Sequence, residues 1–351
     1  MTTGDIRGGG LAEKGPSPPA RSRAAPASGN RPLDRPRRGR LISWCAGSVL
    51  TVYCWTLAGC GPSPPEGGAP RQADKVRVVC TTTMIADLAR RLAGDQTEVI
   101  GIMRVGEDPH VYEVRPRDAQ QIAAAELVLL NGLHLESTLL KVIEHNARGK
   151  VVALAEDPRI EPLAGQRPTG GSTAAPDPHC WFNVKYFRVY AERARDALCE
   201  ADPAHAAIYR QRAGEYLEEL DQLHDWVEQQ IAAVPRQGRV MVTSHDAFAY
   251  YGRAYGIDVY AVIGISTEQQ PRPQDVARLE QLVRSRGVKA LFIETSVSKT
   301  LNDIVERVAA NTGARIGGTL YSDSLGAPDS EAGTYLGMVR HNTRTIVEAL
   351  R

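Results

Sequence analysis

The feature that most constrains the fold is a long helical pattern near the middle of the chain. It begins at Asp202-Pro203 and runs to Ala233, with no helix breaker except Gly214. An aspartate followed by a proline is a strong helix start. About 30 residues at 1.5 Å per residue would span roughly 45 Å, which is too long for a helix inside one small domain. We therefore predict one long helix that joins two lobes. The alternative is two helices separated at Gly214.

The regions on either side of this helix alternate short β-rich runs with helical patterns, which is typical of α/β domains with a parallel sheet. We predict an α/β fold of two lobes, each a four-stranded parallel sheet flanked by helices, joined by one long α-helix. The predicted boundaries are 76–202 for the N-terminal lobe, 203–235 for the linking helix and 236–351 for the C-terminal lobe. Within the first lobe, residues 155–178 are rich in Pro, Gly, Ser and Thr and are predicted to form a loop.

The N-terminal segment has the composition of an export signal. Residues 1–40 carry nine Lys and Arg against three Asp and Glu, and residues 41–60 carry no charge. A basic segment followed by an apolar run and small residues is typical of a secretory signal peptide. The end of the run, Leu57-Ala58-Gly59-Cys60, resembles the bacterial lipobox, in which the cysteine is lipidated. We predict a leader and lipoprotein signal peptide over 1–60 and a flexible tether over 61–75. The alternative is a membrane-spanning signal anchor.

The remainder of the chain is mildly acidic, and its cysteines do not suggest a disulfide framework. Residues 61–351 carry 33 Lys and Arg against 38 Asp and Glu, without a basic stripe, so binding to nucleic acid is not favoured. Cys80, Cys180 and Cys199 have no CxxC spacing and are predicted to be small buried residues.

The tripeptide Asp-Pro-His occurs twice, at residues 108–110 and 177–179. Proline fixes its own φ angle and keeps the preceding residue extended, so each tripeptide is predicted to be a stiff turn that holds an imidazole in place. Two rigidly held histidines on separate loops, His110 and His179, suggest a metal site.

Further potential ligands follow predicted strands, where open parallel sheets bind their ligands. These residues are His134, His245, Glu294 and Asp323. The four remaining histidines lie in predicted helices and are interpreted as solvent-exposed or core residues: His145, His205, His224 and His341.

Five motifs occur in a fixed order along the chain. They are Gly106-x-Asp108-Pro109-His110-x-Tyr112-Glu113, Asn131-Gly132-Leu133, Asp177-Pro178-His179-x-Trp181, Ser244-His245-Asp246-Ala247-Phe248-x-Tyr250, and Tyr321-Ser322-Asp323-Ser324-Leu325 with Gly333-Thr334-Tyr335. Together they resemble the zinc- and manganese-binding solute-binding lipoproteins of ABC importers (the cluster 9, or A-I, family), over roughly residues 76–351. The resemblance implies two α/β lobes with a metal buried between them. It also implies four ligands, which match His110, His179, His245 and Asp323.

The chemistry of this ligand set suits a captured divalent ion. Imidazole suits Zn²⁺ and carboxylate oxygen suits Mn²⁺, and four protein ligands with no open position indicate binding rather than catalysis. Ligating histidines usually have a hydrogen-bond partner behind them. We assign that place to Glu113 and His134, whereas Glu294 is either such a partner or a polar residue at a strand end.

The identity of the metal stays open at this level. Family members that resemble manganese binders often carry glutamate at the position of His245, so the histidine here favours zinc. Against a dedicated zinc protein, the loop at 161–176 lacks the histidine-rich segment typical of zinc-uptake members.

We therefore predict an extracytoplasmic receptor, lipid-anchored to a bacterial membrane through Cys60, in the periplasm or at the cell surface. It would capture Zn²⁺ or Mn²⁺ and deliver the ion to the membrane permease of an ABC importer. The alternatives are a surface adhesion or interaction lipoprotein with a structural metal, and a secreted zinc hydrolase. The motifs HExxH, GxSxG and the P-loop are absent from the sequence. Ser244, His245 and Asp246 are adjacent, and adjacent side chains point apart rather than forming a triad, so we predict that the protein is not an enzyme.

Overall fold

The computed structural model describes residues 75–166 and 172–351. The predicted leader, the tether up to residue 74 and Cys60 lie outside this range. Within the described part, no helix combines the length and the apolar character needed to cross a membrane.

The N-terminal lobe is built on a four-stranded parallel sheet. Its strands are β1 (Val76–Cys80), β2 (Thr97–Gly101), β3 (Leu127–Leu130) and β4 (Lys150–Ala153), in the spatial order β2-β1-β3-β4. All four residues of β3 are buried, as expected for an inner strand covered by helices on both faces. The helices are α1 (Thr83–Ala93), α2 (Pro116–Ala123), α3 (Ser137–Asn146) and α4 (Val184–Ala201).

The segment between β4 and α4 differs from the prediction. Residues 155–178 were expected to form a loop, but they contain an antiparallel pair, β5 (Ala164–Gln166) and β6 (Ser172–Pro176). The ends of this pair are held by the other lobe: the hydroxyl of Tyr250 accepts a hydrogen bond from the amide of Leu163 (2.9 Å) and donates one to the carbonyl of Asp177 (2.8 Å). These contacts are long-range, so the local composition did not indicate them.

The predicted linking helix is present and continuous. Helix α5 (Ala206–Ala232) has 27 residues and passes through Gly214 without a break, and at 1.5 Å per residue it is about 40 Å long. A single 3-10 turn, Pro203–His205, precedes it. The α-helix therefore begins three residues after the proline. The carboxylate of Asp202 lies 2.7 Å from Nδ1 of His205 and accepts a hydrogen bond from the hydroxyl of Tyr209 (2.5 Å).

The C-terminal lobe repeats the architecture of the first. Its sheet has the order β10-β9-β7-β8 and all strands are parallel. The strands are β7 (Val240–Thr243), β8 (Asp258–Ala261), β9 (Ala290–Glu294) and β10 (Arg315–Leu320), and the helices are α6 (Ala249–Tyr255), α7 (Pro273–Arg286), α8 (Lys299–Thr312) and α9 (Tyr335–Leu350). The predicted fold class is therefore confirmed.

The two lobes share one large apolar core, in addition to a smaller core in each lobe. One apolar core includes Leu88 of α1, Leu220 of α5, Tyr251 of α6 and Val339 of α9, so it runs from one lobe through the linking helix into the other. All described residues accordingly fall within one compact unit. The helix packs against α1 and α4 of the first lobe and α9 and α6 of the second, so it is not a free connector.

Gly214 offers a test of the continuous helix. It is exposed, and a Cβ added at this position would meet no atom within 4 Å. We expect Gly214→Ala to raise the free energy of unfolding by about 0.5–1 kcal/mol, because alanine loses less backbone entropy than glycine in a helix. Urea unfolding of the purified protein measures the change, provided that the denaturant slope stays constant.

Gly252→Ala in α6 is the matched control. There a Cβ would lie 2.6 Å from the carbonyl oxygen of Ile257, so the same substitution should destabilise the protein by about 1–3 kcal/mol through overpacking. A loss of stability in Gly214→Ala would contradict the regular helix at that position.

Candidate metal centre

The two Asp-Pro-His tripeptides share one hydrogen bond. In the first, Oδ1 of Asp108 accepts a hydrogen bond from the backbone amide of His110 (2.9 Å). In the second, Oδ1 of Asp177 accepts one from the amide of His179 (2.9 Å). The aspartate side chain thus closes a turn over the proline, and this positions the histidine that follows.

The C-terminal lobe brings its residues from the carboxyl ends of its strands. His245 follows β7, and the hydroxyl of Thr243 donates a hydrogen bond to its carbonyl (2.7 Å). Asp323 follows β10, and its backbone amide donates to the hydroxyl of Ser296, which follows β9 (3.1 Å). The first hydrogen bond therefore fixes the turn after β7, and the second joins the loops after β9 and β10.

These loops bring four side chains together. Nε2 of His179 lies 3.2 Å from Nε2 of His110 and 3.4 Å from Nε2 of His245. The carboxylate of Asp323 places Oδ1 3.4 Å from Nε2 of His179 and Oδ2 3.2 Å from Nε2 of His245. Four ligands at about 2.0–2.1 Å from a tetrahedral Zn²⁺ would be about 3.3–3.4 Å from one another, so the spacing fits a single ion of that kind.

The four side chains are shielded from solvent. His110 is 6% exposed, and the other three are 2% exposed or less. Oδ1 of Asp323 is buried and accepts no hydrogen bond from the described residues. A buried carboxylate oxygen without a donor is costly, and a bound cation would satisfy it.

Carboxylates lie behind two of the imidazoles. Oε2 of Glu294 is 2.7 Å from Nδ1 of His245, and its Oε1 accepts a hydrogen bond from the amide of that histidine (2.9 Å). Oδ1 of Asp177 is 2.7 Å from Nδ1 of His179. Such carboxylates orient the ring and leave Nε2 directed at the metal. Glu294 thus lies behind an imidazole, which is one of the two roles considered for it.

The other two residues proposed as partners of ligands lie elsewhere. Among the described residues, neither Glu113 nor His134 hydrogen-bonds one of the three imidazoles, and both side chains are exposed. Glu113 follows Tyr112, whose side chain is buried, and therefore points to solvent. His134 has a left-handed backbone (φ 63°) that turns it to the surface, where it lines a cavity of about 140 Å³ together with His110.

Asp177 was missed as a partner of His179. The signal was present in the repeated tripeptide, since an aspartate two residues before a histidine can reach both its amide and its ring. Only the folded ring orientation shows that it does so.

Burial and neighbouring charges set the protonation of the imidazoles in opposite ways. Burial, which outweighs the opposing Asp323 carboxylate and is reinforced by the neighbouring histidines, lowers the pKa of His110 to about 3, so this ring stays neutral. Burial also disfavours charge on His179, but the Asp177 carboxylate and then Asp323 outweigh it and raise its pKa to about 9.

In the C-terminal lobe, burial and neighbouring charges again act in opposite directions. Burial would lower the pKa of His245, but the Glu294 and Asp323 carboxylates raise it well above its usual value. Burial disfavours the charged form of Asp323, yet the His245 and His179 rings hold its pKa well below its usual range. Without a metal, the centre therefore keeps protons on two of its three imidazoles at neutral pH.

The pH dependence of metal binding follows from these shifts. Below a pKa of about 9, Nε2 of His179 carries a proton that an incoming metal must displace, so affinity should fall about tenfold per pH unit for each proton displaced. We expect affinity to rise steadily from pH 6 to pH 9. Histidines with the ordinary pKa of about 6.5 would instead give a plateau above pH 7. Competition with a chelator of known proton affinity measures this profile.

Asp177→Asn is the informative comparison. It removes the carboxylate that raises the pKa of His179, so the plateau should begin at a lower pH, while affinity falls by about 10–100-fold through loss of ring orientation. An affinity in the unaltered protein that is constant between pH 7 and pH 9 would contradict this account.

Comparison with known proteins identifies a family and several relatives. Residues 78–349 match the family model described as zinc-uptake complex component A, periplasmic (ZnuA). The manganese-binding lipoprotein MntA of Bacillus subtilis (strain 168) is 37% identical over 308 residues, which are 87% of this chain and 98% of that protein.

Two solved structures are also similar. The periplasmic zinc-binding protein TroA from Treponema pallidum matches with a TM-score of 0.74 and 35% identity, covering 79% of this chain and 99% of that one. The Mn-bound periplasmic metal-binding protein from Candidatus Liberibacter asiaticus matches with a TM-score of 0.71 and 30% identity, covering 79% of this chain and 100% of that one.

Proposed function

The chain belongs to the family of zinc-uptake complex component A proteins (ZnuA), and from that premise we propose that it is an extracytoplasmic receptor for a divalent transition metal. It captures Zn²⁺ or Mn²⁺ in the cleft between its lobes and delivers the ion to the membrane permease of an ABC importer. The observation that carries the proposal is the convergence of His110, His179, His245 and Asp323, two from each lobe, with one ligand atom of each within 4.8 Å of the others.

A binding role is favoured over a catalytic one. The relatives reported above are named as metal-binding proteins. The site would use four buried protein ligands, whereas a catalytic zinc keeps a position open for water. The ion is therefore the cargo of this protein rather than a cofactor for a reaction.

Either metal is compatible with the ligand set. Three imidazole nitrogens suit Zn²⁺, and the carboxylate oxygens of Asp323 suit Mn²⁺. Because Oδ1 and Oδ2 each face an imidazole nitrogen, at 3.4 and 3.2 Å, the carboxylate can bind through one oxygen or through both. The centre can then offer four or five donor atoms, and its relatives are named for manganese as well as zinc.

We also propose a membrane-anchored location. The lipobox-like sequence at Cys60 supports lipidation of that residue, and a relative of similar length is named a lipoprotein. Lipidation would keep the receptor near its permease, outside the cytoplasm.

Replacement of the ligands tests the proposed function. We expect the alanine variants of His110, His179, His245 and Asp323 each to bind Zn²⁺ and Mn²⁺ at least about 100-fold more weakly. Loss of a group that only supports a ligand already costs about 10–100-fold, and each of these changes removes a ligand itself. Competitive titration of the metal-free protein measures the affinities.

His145→Ala is the control, because His145 is exposed on α3. It should bind metal as the unaltered protein does. Wild-type affinity in any of the four ligand variants, or an equal loss in the control, would overturn the assignment.

Cys60→Ala tests the anchor separately from metal binding. Without the thiol no lipid can be attached, so the protein should leave the membrane fraction of the expressing bacterium while keeping its metal affinity. Fractionation with detergent partitioning measures this. Unchanged partitioning of the variant would favour a membrane-spanning signal anchor instead.

A further inference from the structure

A second group of metal-binding side chains lies on the linking helix. His224, Asp225 and Glu228 each offer one ligand atom, and these atoms all lie within 4.8 Å of one another. His224 and Glu228 are four residues apart and therefore lie on one face of α5. Nε2 of His224 is 3.1 Å from Oε1 of Glu228, close to the separation of about 3.3 Å expected for two ligands of one tetrahedral ion.

The imidazole of His224 is buried and incompletely satisfied. The residue is 6% exposed, and its Nε2 makes no hydrogen bond with any described residue, although it faces Glu228. A buried polar atom without a partner is costly. From the sequence alone, His224 was interpreted as a solvent-exposed or core histidine. Its Nε2, which makes no hydrogen bond, distinguishes it from an ordinary core residue.

The other ring nitrogen is held in place from the C-terminal lobe. Nδ1 of His224 lies 3.2 Å from the hydroxyl of Tyr255 on α6, and the two ring centroids are 5.5 Å apart. A ligating histidine normally has such a partner at its second nitrogen, because the contact fixes the ring and directs the free nitrogen toward the metal.

The ring of His224 is neutral, and its two acidic neighbours are exposed to solvent. Burial, and then the nearby Lys185, lower the pKa of His224, which leaves the imidazole neutral at neutral pH. The side chain of Glu228 is 53% exposed, and Asp225 is also exposed. A metal can therefore reach the two carboxylates from solvent, and these side chains can adjust to bring it to the buried Nε2 of His224.

We propose that His224, Asp225 and Glu228 form a second divalent-cation site on α5, distinct from the cleft between the lobes. One imidazole and two carboxylates suit Zn²⁺ and neighbouring late first-row ions. Since the site has three protein ligands, two of them exposed, its remaining positions are filled by water, and it binds more weakly than the four-ligand cleft. The proposal does not depend on the function proposed above, because it uses none of the cleft residues.

Zinc titration calorimetry of the metal-free protein tests this site. The unaltered protein should bind two equivalents of Zn²⁺, one tightly and one more weakly. His224→Ala and Glu228→Gln should each weaken the second equivalent at least about tenfold and leave the first unchanged. Glu218→Gln is the matched control, because it removes the same charge from an exposed position on the same helix and should retain both equivalents.

Zinc anomalous scattering from crystals soaked in Zn²⁺ locates the ion directly, with an expected distance of about 2.0–2.1 Å to Nε2 of His224. Circular dichroism confirms that each variant is folded. Binding of only one equivalent of Zn²⁺ by the unaltered protein would overturn the second site. Binding of two equivalents with unchanged affinity by folded His224→Ala would also overturn it. Neither result would contradict the metal site in the cleft. Weakening of both equivalents together would show that His224 acts through the stability of α5 and would also overturn the proposal.

Discussion

The burial of ionisable side chains is the constraint on which the centre of this structure depends. A charge removed from water is tolerated only when an opposite charge or several hydrogen bonds lie beside it. Here three buried imidazoles share a cleft with three buried carboxylates, those of Asp177, Glu294 and Asp323. The strand-end loops of both lobes are arranged so that each carboxylate meets a ring nitrogen.

The pairing of buried imidazoles with buried carboxylates affects how the cleft binds and releases its metal ion. Without a metal, protons on His179 and His245 place two positive charges against three carboxylates. A divalent ion that displaces those two protons restores the same two positive charges. The net charge of the buried cluster is then equal in both states, so the surrounding backbone need not compensate a different charge when the ion arrives or leaves. Capture of the metal therefore releases protons, and uptake of protons favours release of the metal.

The features predictable from sequence were those encoded locally. The two sheets follow from alternating apolar runs, and the linking helix follows from an unbroken period that tolerates Gly214. Positions after strands and in the Asp-Pro-His turns gave six candidate ligands, of which the family resemblance selected four. The pair formed by β5 and β6 and the shared core depend on contacts between distant segments, such as Tyr250 with Leu163. Glu113 failed as a partner because spacing along the chain does not determine on which side of a turn a side chain emerges.

The connections between the lobes do not rely on the metal. The ring of Phe187 on α4 stacks on Tyr335 of α9 with centroids 3.5 Å apart, and the hydroxyl of Tyr335 donates to the carbonyl of Trp181 (2.6 Å). Trp181 in turn donates from its indole to the carbonyl of Ser322 (3.2 Å), so the loop carrying His179 is joined to the loop carrying Asp323.

Separating the lobes would break these bonds and expose the shared apolar core, at a cost of about 25 cal/mol for each Å² of apolar surface. The strand before Asp323 is the less regular part of the site. β10 shifts register between Ile316 and Gly318, and Gly318 has a φ of 144°, which favours glycine. The irregularity of the C-terminal sheet thus lies in the strand that leads to the carboxylate ligand, whereas the loop of the first lobe that carries His179 is fixed to the second lobe by Tyr250 and Trp181.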